Sequence, residues 1–225
     1  MLRRVLALSA VFSILESAAF QTTMGRLWRV GTKPGTIIAA ERCFSEIQNP
    51  NGVSSGCLLI APEHEYNHFL MEQVVLMYDE QAGTSRGVIL ERPTAFTMDE
   101  MVPGFDEFDS NLMFTGGEDG GKSVVMIHAE GDLEGARPIG SGLFVGGVAA
   151  AREAIARGAN QATDFKFFFN HVAWTDRDIE GMLDGGGWRA VRVPEESLAD
   201  IALQNAETGL WNALSRSLDK GRTSF

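Results

Sequence analysis

This sequence is poor in cysteine and in long apolar runs. Its 225 residues include 2 cysteines, Cys43 and Cys57, and two cysteines do not make the disulfide framework of a small secreted scaffold. Cys57 opens the run Cys-Leu-Leu-Ile-Ala, so we predict a buried strand residue there rather than a reactive thiol. Beyond the first 40 residues, no segment approaches the roughly 18 consecutive apolar residues of a membrane-spanning helix. We therefore expect no membrane partner for the mature form.

Basic residues are also scarce. The chain has 19 Lys and Arg residues against 30 Asp and Glu residues, a net charge of -11. Five of the bases lie in the first 35 residues, with one acid, so the remainder holds 14 bases and 29 acids. A body this acidic has no electrostatic footprint for a phosphate backbone, which argues against nucleic acid as a partner.

The first 40 residues have the composition of a targeting segment. Two arginines, eleven apolar and small residues and the small Ser17-Ala18-Ala19 run are typical of a signal peptide over residues 1–19. Residues 20–40 begin with Phe20, contain no acid and carry three bases, as in a transit peptide. This order resembles the bipartite presequence of algae with secondary, red-lineage plastids. We therefore predict a plastid protein of the stroma; a secreted protein is the alternative, and the apolar run argues against a mitochondrial presequence.

The body, residues 41–225, has the periodicity of one α+β domain. Apolar or β-branched runs predict strands, and Ala-rich or capped runs predict helices. Because the strands cluster in the first half and helices interleave in the second, the pattern does not indicate a regular βαβ winding. The expected strands are 57–61, 74–78, 87–91, 112–115, 124–128, 142–145, 165–169 and 188–193, and the expected helices are a short one capped by Thr97, 148–156, 176–183 and most of 195–218.

The segment His64-Glu65-Tyr66-Asn67-His68 matches H-E-x-x-H. In zinc proteases a long helix puts both histidines on the metal, and the glutamate activates the bound water. Here the motif begins two residues after Pro62 and precedes a strand-like run, so a helical turn or loop with solvated histidines is expected. A zinc hydrolase using His64, Glu65 and His68 is retained as an alternative. His128 or His171 would have to be the third ligand, but neither lies at a metzincin spacing.

Residues 116–123 match the phosphate-binding pattern G-x-x-x-x-G-K-S. A true P-loop ends at the start of a helix, whereas a β-branched run follows here. Glu118 and Asp119 inside the loop would also repel a triphosphate. We therefore predict a glycine-rich turn that joins strands 112–115 and 124–128 into a hairpin.

The order of short motifs along the body resembles the AlgH/YqgE family of conserved proteins, for which no biochemical activity is established. The matching segments are G-C-L-L-I-A-P at 56–62, G-V-I-L-E-R-P-T at 87–94, F-T-G-G at 114–117, Ile127-His128, and N-H-V-A-W at 170–174. The last keeps only Trp174 of the family's G-Y-x-G-W, and Glu118 stands where the family has proline. The resemblance implies a compact domain around a mixed, partly barrel-like β-sheet with flanking helices. Some bacterial members are labelled transcriptional regulators, which the acidic composition does not support.

Five residues are candidates for a binding site. Arg92 offers a forked guanidinium to a carboxylate or phosphate, with Thr94 beside it across Pro93. Gly116 and Gly117 could present backbone amides to an anion, and His128 ends an apolar strand. Each also has a structural reading: Arg92 pairs with an internal acid, Thr94 caps a turn, the glycines make a tight turn, and His128 is a satisfied core histidine.

The sequence therefore predicts a non-enzymatic protein that acts through an unknown protein partner or a small anionic ligand, without a cofactor. An enzyme with a site near Arg92, Gly116 and His128 is the main alternative.

Overall fold

The computed structural model describes residues 44–140, 142–185, 187–204 and 209–222. All of them belong to the unit of residues 34–225. The predicted signal peptide (1–19), the predicted transit peptide (20–40) and Cys43 lie outside the described residues. Over the described ranges, no helix is long and apolar enough to cross a membrane.

Strands and helices interleave along the described chain. The strands are β1 Ser45–Ile47, β2 Cys57–Ile60, β3 Val74–Gln81, β4 Thr84–Ile89, β5 Pro93–Thr97, β6 Leu112–Thr115, β7 Asp119–His128, β8 Ala136–Gly140, β9 Leu143–Gly146, β10 Phe165–Thr175 and β11 Arg189–Arg192. The helices are α1 Met98–Met101, α2 Val148–Ala156, α3 Asp176–Asp184, α4 Glu195–Leu203 and α5 Leu210–Arg222. The predicted helix 148–156 is confirmed to the residue.

The strands form one mixed sheet in the order β1-β11-β2-β3-β4-β10-β7-β9-β8, with β5 and β6 attached through β10. The long strand β10 joins its two halves. Residues Phe165–Phe169 pair with β7 antiparallel, and Phe167–Phe169 also pair with β6 in parallel. Beyond a bulge after Phe169, residues Val172–Thr175 pair with β4.

The predicted hairpin of strands 112–115 and 124–128 is wrong. Strands β6 and β7 lie on opposite sides of β10 rather than beside each other. The buried Phe167 and Phe168 explain this arrangement, because a strand with fully buried aromatic side chains needs a neighbour along both edges. The glycine-rich segment is the start of β7, not a turn.

Alternate residues of each strand belong to different cores, as the two-residue period of a strand requires. Leu58, Leu76, Val88 and Phe168 belong to the largest cluster, which also takes buried residues of α4 and α5. Their neighbours in the chain face away: those of β2–β4 pack with α3, and those of β7 and β10 pack with α1 and α2. Every described α-helix therefore packs against a sheet face, as in other layered α+β domains.

The sheet curves into a partial barrel that its ladders do not close. Between β3 and β8, the ion pair of Asp79 with Arg137, 2.8 Å from oxygen to nitrogen, spans the gap. Nearby, a Cβ on Gly56 would lie 3.0 Å from the carbonyl of Ile139, so the chain before β2 and β8 approach closely. The expected single α+β domain around a mixed, partly barrel-like sheet is confirmed.

An aspartate is a common N-cap, so Asp176 at the start of the predicted helix 176–183 is the cap that the sequence indicates, but the structure differs by one residue. Thr175, not Asp176, is the N-cap. Its hydroxyl accepts from the amide of Asp178, whose carboxylate accepts in turn from the Thr175 amide at 2.8 Å. This reciprocal pair satisfies two of the amides that a helix start leaves free.

Candidate functional site

Arg92 and Thr94 hold backbone rather than facing open solvent. The Arg92 guanidinium donates to the carbonyl of Phe69 and lies 4.0 Å above the Phe69 ring. No internal acid pairs with it among the described contacts. The Thr94 hydroxyl donates to the carbonyl of Met113 at 2.8 Å and accepts from the amide of Phe96. Both side chains therefore fix the path of the chain between β4 and β6.

Gly116 and Gly117 lie where the chain crosses the β10 bulge. The Gly116 amide donates to the carbonyl of Phe169, and its carbonyl accepts from Ile89 at 2.9 Å. A Cβ on Gly117 would overlap the backbone of His171. An anion could take the Gly116 amide only by breaking an existing hydrogen bond, and glycine is needed at 117 for close packing.

His128 is fully buried and both of its ring nitrogens are bonded. Its Nδ1 accepts from the amide of Glu130 at 3.1 Å, so its Nε2 carries the hydrogen and donates to the carbonyl of Gly146 at 3.0 Å. Burial lowers the pKa of His128 below its usual value, which keeps the ring neutral.

His128 does not share a site with Arg92 and Gly116. In the ladders of β10, His128 lies opposite Phe165, whereas Thr115 lies opposite Phe169. Four residues of strand correspond to about 13 Å. Arg92 and Gly116 do lie together, because the Arg92 carbonyl accepts from the amide of Thr115 at 2.7 Å.

The H-E-x-x-H segment lies in turns, not in the helix that a zinc protease requires. His64 and His68 are exposed, and Glu65 accepts hydrogen bonds from the Trp188 indole and the Asn67 amide. Across the described residues, no three His, Cys, Asp or Glu side chains are grouped so that they could hold a metal ion.

The structure instead brings polar side chains together at one end of the partial barrel, a group that we call the barrel mouth. Its members come from five strands: Tyr78 and Asp79 of β3, Arg86 of β4, Ser123 of β7, Arg137 of β8 and His171 of β10. None of the six is among the five residues predicted for a binding site, and His171 was considered only as a third zinc ligand.

Asp79 is the centre of the barrel mouth and is 6% exposed. Its two oxygens accept from Arg86 at 2.9 Å and from Arg137 at 2.8 Å. Burial alone would raise the pKa of Asp79, but the hydrogen bonds and charges of the two arginines outweigh it and hold that pKa below the usual value. Each guanidinium uses one nitrogen on Asp79, so both keep further N–H groups on side chains that are 37% and 55% exposed.

Ser123 and His171 form a hydrogen-bonded pair beside these arginines. The Ser123 hydroxyl lies 3.2 Å from Nδ1 of His171. Arg86 is paired with Ala173 in the ladder, which makes His171 its diagonal neighbour on the same face. Burial, followed by the charge of Arg86, lowers the pKa of His171. The Tyr78 ring stands edge-on, 6.3 Å from the His171 ring, and burial raises the pKa of Tyr78 to about 12.

The backbone around this pair is strained. Lys122 and Asn170 both have positive φ, 78° and 63°, and the amide of Lys122 donates to the Asn170 side chain at 2.9 Å. Asn170 is the residue at which the register of β10 with β7 shifts. Bulges and left-handed non-glycine residues cluster at functional sites, so this feature separates the barrel mouth from the rest of the sheet.

A second polar residue that the sequence reasoning missed lies in the core. Lys166 of β10 is 2% exposed, and its ammonium donates to the carbonyls of Leu90, Ala202 and Gln204 at 3.0, 3.1 and 2.5 Å. The Phe114 ring lies 4.2 Å from its nitrogen. Burial lowers the pKa of Lys166 to about 7, against the opposing charge of Glu91. Lys166 ties the end of α4 to the sheet, with the cation at the negative end of the helix dipole.

The strand order, together with the ion pair between Asp79 of β3 and Arg137 of β8, defines this protein as a single α+β domain with a partly barrel-like mixed sheet. The chain belongs to the DUF179, AlgH-like family, whose model matches residues 57–221.

Relatives of the chain carry names without a function. A UPF0301 protein of Chlorobium phaeobacteroides is 28% identical over 167 residues, covering 73% of this chain and 87% of that protein. A UPF0301 protein of Chlorobaculum tepidum is 30% identical over 145 residues, covering 64% of this chain and 77% of that protein.

Solved structures share the fold. The solution structure of AlgH from Pseudomonas aeruginosa has a TM-score of 0.54 at 17% identity and covers 76% of this chain and 94% of its own. A crystal structure from Corynebacterium diphtheriae has a TM-score of 0.54 at 15% identity and covers 72% of this chain and 92% of its own. At these identities the likeness concerns the fold alone.

Proposed function

We propose that this chain is a non-catalytic protein that binds a small anionic ligand at the barrel mouth. The observation that carries the proposal is the pair of arginines on one carboxylate. Arg86 and Arg137 bring two positive charges to Asp79, which supplies one negative charge and accepts from one nitrogen of each guanidinium. The body as a whole is acidic, so this local excess of positive charge is unusual in it.

The alternative of an enzyme at Arg92, Gly116 and His128 has less support. Arg92 and the Gly116 amide are bonded to backbone carbonyls, and His128 lies about 13 Å along β10 with both ring nitrogens bonded. The guanidinium N–H groups at the barrel mouth, by contrast, belong to partly exposed side chains that can reach a ligand.

The proposal is tested by titrating the purified full chain with sulfate, phosphate and acetate in a calorimeter. Arg137→Met removes one guanidinium while Arg86 still pairs with Asp79. A hydrogen bond to a charged group contributes about 1.5–3 kcal/mol, so we expect anion affinity to fall at least about tenfold.

The control is Arg157→Met, which removes the same charge from an exposed position at the end of α2. Equal losses in both variants would mean that the anion responds only to overall charge, and the barrel mouth would not be the site. Absence of binding to the unmodified chain would refute the proposal outright.

We also propose that the protein works in the plastid, with secretion as the alternative. The support is the composition of residues 1–40 and the position of Phe20. A fluorescent protein fused behind residues 1–40 should accumulate in the plastid of an alga with a secondary plastid, and Phe20→Ala should keep it outside the stroma. Fluorescence in the medium from both fusions would instead show secretion.

A further inference from the structure

The binding of an anion by Arg86 and Arg137 leaves Tyr78, Ser123 and His171 of the barrel mouth unused. From the placement of Ser123 and His171, we infer that the ligand carries a phosphoryl group rather than a carboxylate. This inference rests on the proposed function, because it names the class of anion that the same site takes.

Hydrogen-bond donors reach the barrel mouth from four strands. Arg86 extends from β4, His171 from the neighbouring β10, Ser123 from β7 and Arg137 from β8. A carboxylate has two oxygens in one plane, and the forked guanidiniums match it without further donors. A phosphoryl group has three terminal oxygens spread around phosphorus, so it can use donors from several strands at once.

Gly120 packs directly against Ser123 and His171, and both side chains remain partly exposed. Gly120 has φ of +103°, and a Cβ there would overlap the Ser123 hydroxyl and lie 2.7 Å from Nδ1 of His171. Any other residue at 120 would press on this pair as well as strain the backbone. The left-handed Lys122 follows two glycines with positive φ, so the start of β7 arches over the pair rather than continuing as a flat strand.

The charges at the site fit a dianion whose binding is coupled to protonation of His171. The groups that act on His171 are Arg86, Asp79 and Asp119, whose carboxylate accepts from the Ala173 amide at 3.0 Å. Tyr78 packs against the ring and stays neutral, since burial raises its pKa to about 12. Without ligand His171 is neutral near pH 7; a dianion beside it favours the protonated ring. Binding therefore takes up a proton, and affinity rises as pH falls through the titration of His171.

The experiment compares four probes on the full chain: inorganic phosphate, glycerol 3-phosphate, sulfate and acetate. We expect the phosphate probes to bind at least about tenfold more tightly than acetate. Ser123→Ala and His171→Gln should each weaken phosphate binding about tenfold and leave acetate within about twofold, because a carboxylate needs only the arginines. Ser45→Ala, on exposed β1, and His68→Gln, an exposed histidine, are the matched controls and should change nothing.

Sulfate isolates the contribution of His171, because sulfate remains a dianion across the range tested. Its affinity for the unmodified chain should rise several-fold from pH 8 to pH 6, and His171→Gln should flatten that rise. Tighter binding of glycerol 3-phosphate than of inorganic phosphate identifies a phosphorylated metabolite as the ligand, and equal binding identifies phosphate itself.

The outcomes separate this inference from the proposed function. If no probe binds, both fail. If the probes bind and depend on Arg137 but not on Ser123 or His171, or if acetate binds as tightly as phosphate, the anion site stands and the phosphoryl inference is overturned.

Discussion

The buried ammonium of Lys166 makes the stability of this protein depend on pH in a direction that can be worked out. Burial lowers the pKa of Lys166 from 10.5 to about 7 in the folded chain, and unfolding returns the side chain to water. Between these values the unfolded chain binds one more proton than the folded chain. The free energy of unfolding therefore rises with pH in this window, because folding must release this proton and its release costs less as pH rises.

The size of the effect follows from the two pKa values. A difference of one pKa unit is worth about 1.4 kcal/mol. The proton occupancies of Lys166 in the folded and unfolded chains differ most between about pH 7 and 10. From pH 7 to pH 9 this group alone should add about 2 kcal/mol to the free energy of unfolding. Ending the comparison at pH 9 avoids the titration of Tyr78, whose pKa is raised to about 12.

The assay is urea unfolding of the unmodified chain and of Lys166→Met at pH 7, 8 and 9. Methionine keeps the unbranched shape of lysine but cannot ionise, so the difference between the two chains cancels every other titrating group. That difference should shift by about 2 kcal/mol in favour of the unmodified chain as pH rises from 7 to 9. A difference that stays flat or moves the opposite way would refute the reasoning. If the variant fails to fold, an NMR titration of the Lys166 side chain should still give a midpoint near pH 7.

Three further predictions concern the fold. His128→Leu leaves the Glu130 amide and the Gly146 carbonyl without a partner and should lower the free energy of unfolding by about 2–4 kcal/mol, measured in urea. Because burial lowers the pKa of His128, the stability that it contributes is complete above pH 6.5 and is lost as pH falls below that value. The variant should lack this pH dependence. Gly117→Ala forces a Cβ into the His171 backbone and should prevent stable folding, whereas Gly181→Ala in α3, where a Cβ meets nothing within 4 Å, should raise stability by about 0.5–1 kcal/mol; equal effects would contradict the close packing at Gly117. Thr175→Ala removes the cap of α3 and should cost about 1 kcal/mol, while Thr84→Ala provides a threonine control in β4.

Local patterns predicted most of the elements. The structure has strands at the apolar runs 57–61, 74–78 and 165–169, and a helix at 148–156. Residues close together in the chain determine the periodicity of each of these segments. Cys57 is fully buried in β2, as its run indicates. The strands at 84–86, 93–97 and 136–140 were missed because their polar or glycine-containing sequences become strands only through partners far away in the chain.

The candidate site was the harder prediction, because its members are distant in the chain. Asp79 and Arg137 are 58 residues apart, and Ser123 and His171 are 48 apart. No spacing rule connects them, and the pairing of β10 with both β4 and β7 was not foreseen. Two signals were present: a lysine inside the aromatic run Phe-Lys-Phe-Phe-Phe, and Asn170-His171 where the family pattern differs. Arg92, Gly116 and His128 attracted attention because their residue types suit chemistry, but their polar atoms are bonded within the fold.

The position of β10 late in the chain governs when this protein can fold. Strands β4, β6 and β7 all precede β10 in the chain, and each has β10 as a neighbour in the sheet. A chain that passes through a narrow pore with its amino end first would therefore emerge without the strand that unites its sheet. Pairings over such long separations close slowly, so β2–β4 and β7–β9 would stay unjoined until the last quarter of the chain arrived. Because this topology delays the native state, a chain that is still passing through a pore would not yet have to be unfolded.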